Sequence, residues 1–186
     1  MKNILMILLL LALVCCKQKQ SKPSVHQARV NTPGWKTLES ADFTVQYPPE
    51  WELDQNGELG LSFALVAPTE SGKELFRKHI NLLIQDLGGR KVDLDKYVDE
   101  SEEQTKTTLS HTTIIESTRM NDGRNEYQQI HYTGDQGIFH LEFEECFWVK
   151  NGKAYILTFT KEKTDSACMD CREIPERILS SFTLKD

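Results

Sequence analysis

The sequence predicts an α+β fold, a three-layer α/β/α sandwich with a largely antiparallel central sheet. Two observations carry this prediction: a pair of β-rich runs that meet at Asn151-Gly152, and an amphipathic segment that begins after Asp93. Asn-Gly between apolar runs is the strongest short hairpin signal, because both residues tolerate the positive φ of a type I′ turn. The hairpin within residues 138–161 therefore forms the centre of the predicted sheet.

The turn fixes the register of this hairpin. With Asn151 and Gly152 as the central turn residues, Lys150 faces Lys153 and successive side chains point to opposite faces. One face then carries Cys146, Trp148, Tyr155, Leu157 and Phe159. The other face carries Leu141, Phe143, Phe147, Val149 and Ile156. Because both faces are apolar near the turn, we expect other elements to pack above and below the hairpin.

Three strands precede the first helix. Residues 43–47 alternate apolar and polar side chains until Pro48 ends the run, and residues 61–67 form a second run. Residues 79–85 are apolar without a clear period. Their short length and the Gly88-Gly89 pair that follows favour a buried strand over a helix.

The rest of the chain contributes two helices and further strands. Asp93 is a typical N-cap for a helix that extends to about Leu109. Strands at residues 112–120 and 124–132 follow, joined by Asp122-Gly123. After the long hairpin, a final helix contains Ile174, Ile178 and Leu179, and residues 182–184 form a short closing strand.

Five segments of the chain, in their order and spacing, resemble the PsbP/Mog1-like proteins. They are YPPEW at 47–51, INLLIQDL at 80–87, DLDKYV at 93–98, GKAYILTFT at 152–160 and ILSSF at 178–182. The resemblance covers residues 35–184. It implies an antiparallel sheet between helices and a binding or assembly module, with no catalytic residues to transfer to this chain.

The first residues resemble a bacterial lipoprotein signal. Lys2 precedes an apolar run of about eleven residues, which is the length of a signal-peptide core and too short to span a membrane. The run ends at Cys15-Cys16. The resemblance implies lipidation of Cys16, with Cys15 as the alternative, and a simple cleaved secretory signal is the competing interpretation.

The predicted organisation therefore has three parts: a signal peptide at residues 1–15, a lipidated cysteine with a flexible basic tether at 16–34, and a globular domain at 35–186. The tether has too little apolar surface to fold.

The domain holds 17 basic and 28 acidic residues, a net charge of −11. This charge excludes nucleic acid as a partner, since phosphates repel it. Lys17 after Cys16 favours an outer-membrane lipoprotein that faces the periplasm.

Cysteines are the first candidates for chemistry. Cys168 and Cys171 lie three residues apart before the final helix, and an exported chain favours their oxidation to a disulfide. Cys146 is the alternative partner of either one. The same pair raises the alternative of a thiol/disulfide redox protein, although no βαβ unit surrounds it, as a thioredoxin-type enzyme requires.

No catalytic residue, metal site or cofactor is predicted. His140, Glu142 and Glu144 project from one strand face, a pattern typical of solvated or cross-strand paired residues. The carboxylates of residues 99–103 match the solvent-facing side of a helix. The leading hypothesis is a membrane-anchored, non-catalytic module that binds a protein in the cell envelope. A small-ligand carrier is a further alternative, and it requires an apolar pocket between sheet and helix.

Overall fold

This computed structural model describes residues 32–69, 72, 75–163 and 170–186, with backbone alone at 170–172. The described part of the chain contains ten strands and two α-helices. The strands are β1 Lys36–Glu39, β2 Phe43–Tyr47, β3 Glu52–Asp54, β4 Leu61–Val66, β5 His79–Asp86, β6 Ser110–Asn121, β7 Glu126–Gln136, β8 Phe139–Lys150, β9 Lys153–Glu162 and β10 Thr183–Leu184. The helices are α1 Leu94–Thr108 and α2 Asp170–Ser181.

The strands form two antiparallel sheets. The large sheet has seven strands in the order β3-β4-β5-β9-β8-β7-β6, and the small one has the order β1-β2-β10. Every pair of neighbouring strands is antiparallel. The mostly antiparallel sheet with two helices is the α+β fold that the sequence predicts.

The central hairpin has the predicted register. Lys150 pairs with Lys153 and Trp148 with Tyr155, on either side of Asn151 and Gly152. Both turn residues have positive φ, 52° and 74°, as a type I′ turn requires. The hairpin occupies the middle of the large sheet as β8 and β9, with β5 beside β9 and β7 beside β8.

Each face of the large sheet carries its own core. The first core contains Cys146, Trp148, Tyr155, Leu157 and Phe159 together with residues of the small sheet and α2. The second contains Leu141, Phe143, Phe147 and Ile156 together with Tyr97 and Val98 of α1. Both sets were predicted from the alternation of β8 and β9. Trp148 and Phe147, on opposite faces, are 5% and 2% exposed.

The elements covering the first core differ from the expectation in one respect. The sequence predicts a helix on each face, but α2 shares its face with the three-stranded sheet, which contributes Leu38, Phe43 and Val45 to the first core. The first described residues lie on this side too. The Thr32 backbone N–H donates to Gln46 Oε1 at 3.0 Å.

Helix α1 begins where the sequence predicts. The Asp93 side chain accepts a hydrogen bond from the Lys96 N–H at 2.9 Å, and the helix ends at Thr108. All the core residues described for both faces lie between Leu38 and Leu184, so residues 32–186 contain what is needed for a folding unit. Over the described residues, neither helix has the length and hydropathy needed to cross a membrane.

Candidate functional site

A cleft of about 760 Å³ lies between α1 and the large sheet. Helix α1 packs on β6, β7 and β8, so part of the same face beside the helix, over β5 and β9, remains accessible. We call this space the α1 cleft. It lies on the side of the second core, opposite α2 and the small sheet.

The floor of the α1 cleft is apolar because alternate residues of neighbouring strands point into it. Leu83 of β5 pairs with Ile156 of β9, which in turn pairs with Phe147 of β8. Phe143 and Tyr132, which pair across β8 and β7, extend the same floor. Their rings stack with centroids 4.7 Å apart. The floor is therefore apolar and aromatic, and half-buried Leu83 is the most accessible of these side chains, because the other four are buried.

The wall that α1 contributes is polar. Ser101, Gln104, Thr105 and Thr108 follow Tyr97 at helical spacing and line the cleft. The Ser101 hydroxyl donates to the Tyr97 carbonyl oxygen at 2.9 Å, and the Thr105 hydroxyl donates to the Ser101 carbonyl oxygen at the same distance. Side chains on this face therefore satisfy part of their hydrogen bonding within the helix.

Tyr97 connects the helix to the sheet at one end of the cleft. Its hydroxyl donates to Gln85 Oε1 at 2.7 Å, and its ring packs against Phe147 with centroids 6.3 Å apart. Burial raises the pKa of Tyr97, so the hydroxyl stays protonated and continues to donate. This contact fixes the distance between α1 and β5.

Glu145 is the one ionisable side chain among the apolar side chains that β8 contributes to the second face. Its carboxyl group lies deep in the α1 cleft while part of its surface faces the open space. Burial raises the pKa of Glu145, opposed by hydrogen bonds from the Tyr132 and Thr158 hydroxyls, the latter at 3.2 Å from Oε1. In the sequence, Glu145 is visible as a single acid in the alternate row Leu141, Phe143, Glu145, Phe147.

A second, smaller groove lies on the opposite face, beside α2. It has a volume of about 230 Å³ and is lined by Glu116, Thr118, Met120, Gln129, His131, Glu144 and Glu176. Next to it, Glu142 accepts hydrogen bonds from His131 Nε2 at 2.8 Å and pairs with Lys161 Nζ at 3.1 Å. Burial opposes ionisation of Glu142, but these two partners outweigh it and hold the pKa of Glu142 below its usual value.

The row of polar residues on β8 is cross-strand paired, as predicted. His140 contacts Asp135 at 2.6 Å, Glu142 contacts His131, and Glu144 accepts from Gln129 at 2.5 Å. Within the described residues, no group of three or more His, Cys, Asp or Glu side chains is arranged to hold a metal ion.

The predicted cysteine sites are largely outside the described residues. Cys15, Cys16 and Cys168 lie there entirely, and Cys171 lies in α2 with its side chain undescribed. Cys146 carries a free thiol, 4% exposed, in the first core. Burial raises the pKa of this thiol well above its ordinary value, which makes it a packing residue rather than a reactive one. The disulfide between Cys168 and Cys171 stays a prediction.

Comparison with known proteins gives structural matches alone. No protein-family model and no curated protein matches the chain. Cyanobacterial PsbP (CyanoP) from Synechocystis sp. PCC 6803 aligns with a TM-score of 0.57 at 11% identity, over 86% of this chain and 97% of that one. LpqN of Mycobacterium tuberculosis, involved in cell envelope biogenesis, aligns with a TM-score of 0.59 at 10% identity, over 82% and 91%.

The chain is an α+β protein whose mostly antiparallel sheet carries two helices and a cleft beside the first of them. More particularly, it has the PsbP/Mog1-like fold, as the order of its sequence segments predicts.

Proposed function

We propose that this protein is a non-catalytic binding module of the bacterial cell envelope and that it binds an apolar small ligand in the α1 cleft. The observation that carries the proposal is the cleft itself, about 760 Å³ with an apolar floor. This volume lies in the range of small-molecule sites, and convergent polar groups on an apolar surface are their usual composition. The small-ligand carrier considered from the sequence requires such a pocket.

The chemistry of the cleft favours binding over catalysis. Among the described residues, those that line it include hydroxyls, amides and two carboxylates, but no histidine, cysteine or lysine. Nucleophilic catalysis on a hydroxyl needs an adjacent base. The Ser101 and Thr105 hydroxyls instead donate to backbone carbonyl oxygens of α1.

The N-terminal sequence and a neighbour in fold support a location in the cell envelope. We infer a signal peptide at residues 1–15, a lipid on Cys16 (or Cys15) and a tether to residue 34 that joins the three-layer domain at 35–186 to the outer membrane. The resemblance in fold to LpqN, whose role lies in cell envelope biogenesis, supports this setting. We expect a protein partner in the envelope to deliver or receive the ligand.

Blocking the cleft tests the proposal. The probe is N-phenyl-1-naphthylamine, a neutral apolar dye whose fluorescence rises on burial, titrated into a polypeptide of residues 32–186. The double variant Gln104→Trp/Thr108→Trp places two indoles on lining positions of α1. The matched control Glu103→Trp/Thr107→Trp moves each substitution by one residue onto the exposed surface.

We expect the lining variant to lose at least about tenfold in probe affinity, equivalent to about 1.4 kcal/mol, while the control keeps the affinity of the unaltered chain. Equal binding by both variants would place the dye elsewhere and refute the cleft as the binding site. Circular dichroism confirms that each variant retains its fold.

A further inference from the structure

The described ionisable side chains that line the α1 cleft include two acids and no base. Among the described residues that line it, Glu145 and Asp86 are the ionisable acids, and no lysine, arginine or histidine accompanies them. Asp86, at the end of β5, pairs in register with Lys153 and accepts a hydrogen bond from the Gly88 N–H at 2.8 Å. Glu145, on the floor, is therefore the acid that faces the cleft. The surrounding domain is itself acidic, with 28 acidic and 17 basic residues from position 35 onward. Such a cleft attracts cations and repels anions.

The aromatic residues of the cleft make the surroundings of Glu145 apolar. Tyr97, Tyr132, Phe143 and Phe147 all line the cleft. All four rings are buried, so they surround the Glu145 carboxyl with apolar groups and strengthen its interaction with a positive charge by lowering the local dielectric. Acidic and aromatic side chains thus converge on the same space.

Glu145 has hydrogen-bonding capacity left for a ligand. Its carboxyl group accepts from the Tyr132 and Thr158 hydroxyls. A carboxylate offers about four lone-pair sites, so two of them stay available. Because part of the Glu145 surface faces the cleft, an N–H donor of a ligand can reach it directly.

We propose that the α1 cleft binds a cationic amphiphile, with a protonated amine against Glu145 and an apolar chain against Leu83 and Ile156. This inference rests on the proposed function and specifies its ligand class. The amine contributes a charge-assisted hydrogen bond and the chain buries its methylene groups on the apolar floor. A carboxylate of the same length would bring a like charge next to Glu145.

Three ligands of equal chain length test the inference: octylamine, octanol and octanoate, titrated calorimetrically into residues 32–186 at pH 7, where the amine is protonated. We expect octylamine to bind about tenfold tighter than octanol, because a hydrogen bond to a charged group contributes about 1.4 kcal/mol more than a neutral one. Octanoate should bind most weakly.

Glu145→Gln should remove the preference for octylamine over octanol while leaving octanol affinity unchanged. The control Glu126→Gln, an exposed acid at the start of β7 outside the cleft, should keep the preference. The comparison of three ligands on the unaltered chain already tests the charge preference, so the inference stays testable even if Glu145→Gln unfolds.

The outcomes separate the two proposals. Equal binding of octylamine and octanol, or a preference that persists in Glu145→Gln, overturns the cationic ligand and leaves the apolar cleft standing. Failure of all three ligands and of the neutral dye to bind overturns both.

Discussion

Replacing Glu145 by glutamine should stabilise the protein, and the gain should depend on pH in a defined direction. Burial raises the pKa of Glu145 in the folded state above its unfolded value of 4.5. The folded state therefore binds this proton more tightly than the unfolded state does. Stability from this group is fully present below the unfolded pKa and is lost as pH rises through the folded pKa. Glutamine keeps a neutral group of the same size, so the variant avoids this loss.

The size of the effect follows from proton linkage. Between the unfolded and the folded pKa, the free energy of unfolding of the unaltered chain falls, relative to Glu145→Gln, by up to about 1.4 kcal/mol per pH unit. Near pH 4 the two chains should differ only by the change in hydrogen bonding with Tyr132 and Thr158, about 1 kcal/mol or less. Near pH 7 the variant should be the more stable relative to the difference at pH 4.

Urea unfolding followed by tryptophan fluorescence at several pH values measures this difference, since Trp51 and Trp148 are buried. With an m-value of about 2 kcal/mol/M, a change of 1 kcal/mol moves the midpoint by about 0.5 M. Glu142, whose pKa is lowered, titrates in the opposite sense, but it is common to both chains and cancels in the comparison. A stability difference that stays constant from pH 4 to pH 7 would refute the assignment of a raised pKa to Glu145.

Other substitutions test the core, the helix start and the anchor. Leu157→Ala, at a fully buried site of the first core, should cost about 2–5 kcal/mol in urea unfolding, whereas Ile138→Ala, at an 80% exposed site, should stay within about 0.5 kcal/mol. Asp93→Ala removes the α1 N-cap and should lower the free energy of unfolding by about 1 kcal/mol; an unchanged midpoint would contradict the capping role. Cys16→Ser should abolish the acyl mass seen by mass spectrometry of the membrane-extracted chain, and Cys15→Ser should retain it; the reverse result would assign the lipid to Cys15.

The central hairpin could be predicted in detail because it depends on local rules. A two-residue turn sets the register, and the strict alternation of side chains then divides the apolar residues between two faces. Cys146 and Phe147, adjacent in the chain, accordingly lie in different cores. The extent of β5 was predictable for a related reason, since a short apolar run before two glycines has few alternatives.

The small sheet could not be predicted because its signals are weak and its pairing is distant. β1 buries a single residue, Leu38, in a four-residue strand, and β10 has two residues. β10 pairs Leu184 with Phe43, across almost the whole length of the domain. Such pairing depends on how the first core closes, which no local pattern encodes.

The α1 cleft depends on tertiary placement as well. The residues of α1 that line it, such as Gln104 and Thr108, have the composition of an ordinary solvent-facing helix surface, and only the position of the helix over β6, β7 and β8 opens the space beside it. Glu145 did leave a signal, a single acid within an apolar row, and such a residue in a predicted buried strand is worth following in other sequences.

The position of Thr32 has a practical consequence. The backbone N–H of Thr32 donates to Gln46 in β2, on the side of the sheet that bears α2, and the α1 cleft opens on the other side. A chip, bead or nanodisc coupled on the N-terminal side of Thr32 would hold the domain on the face opposite the α1 cleft. The cleft would then stay open to ligand. Surface-based sensing can therefore use an N-terminal attachment.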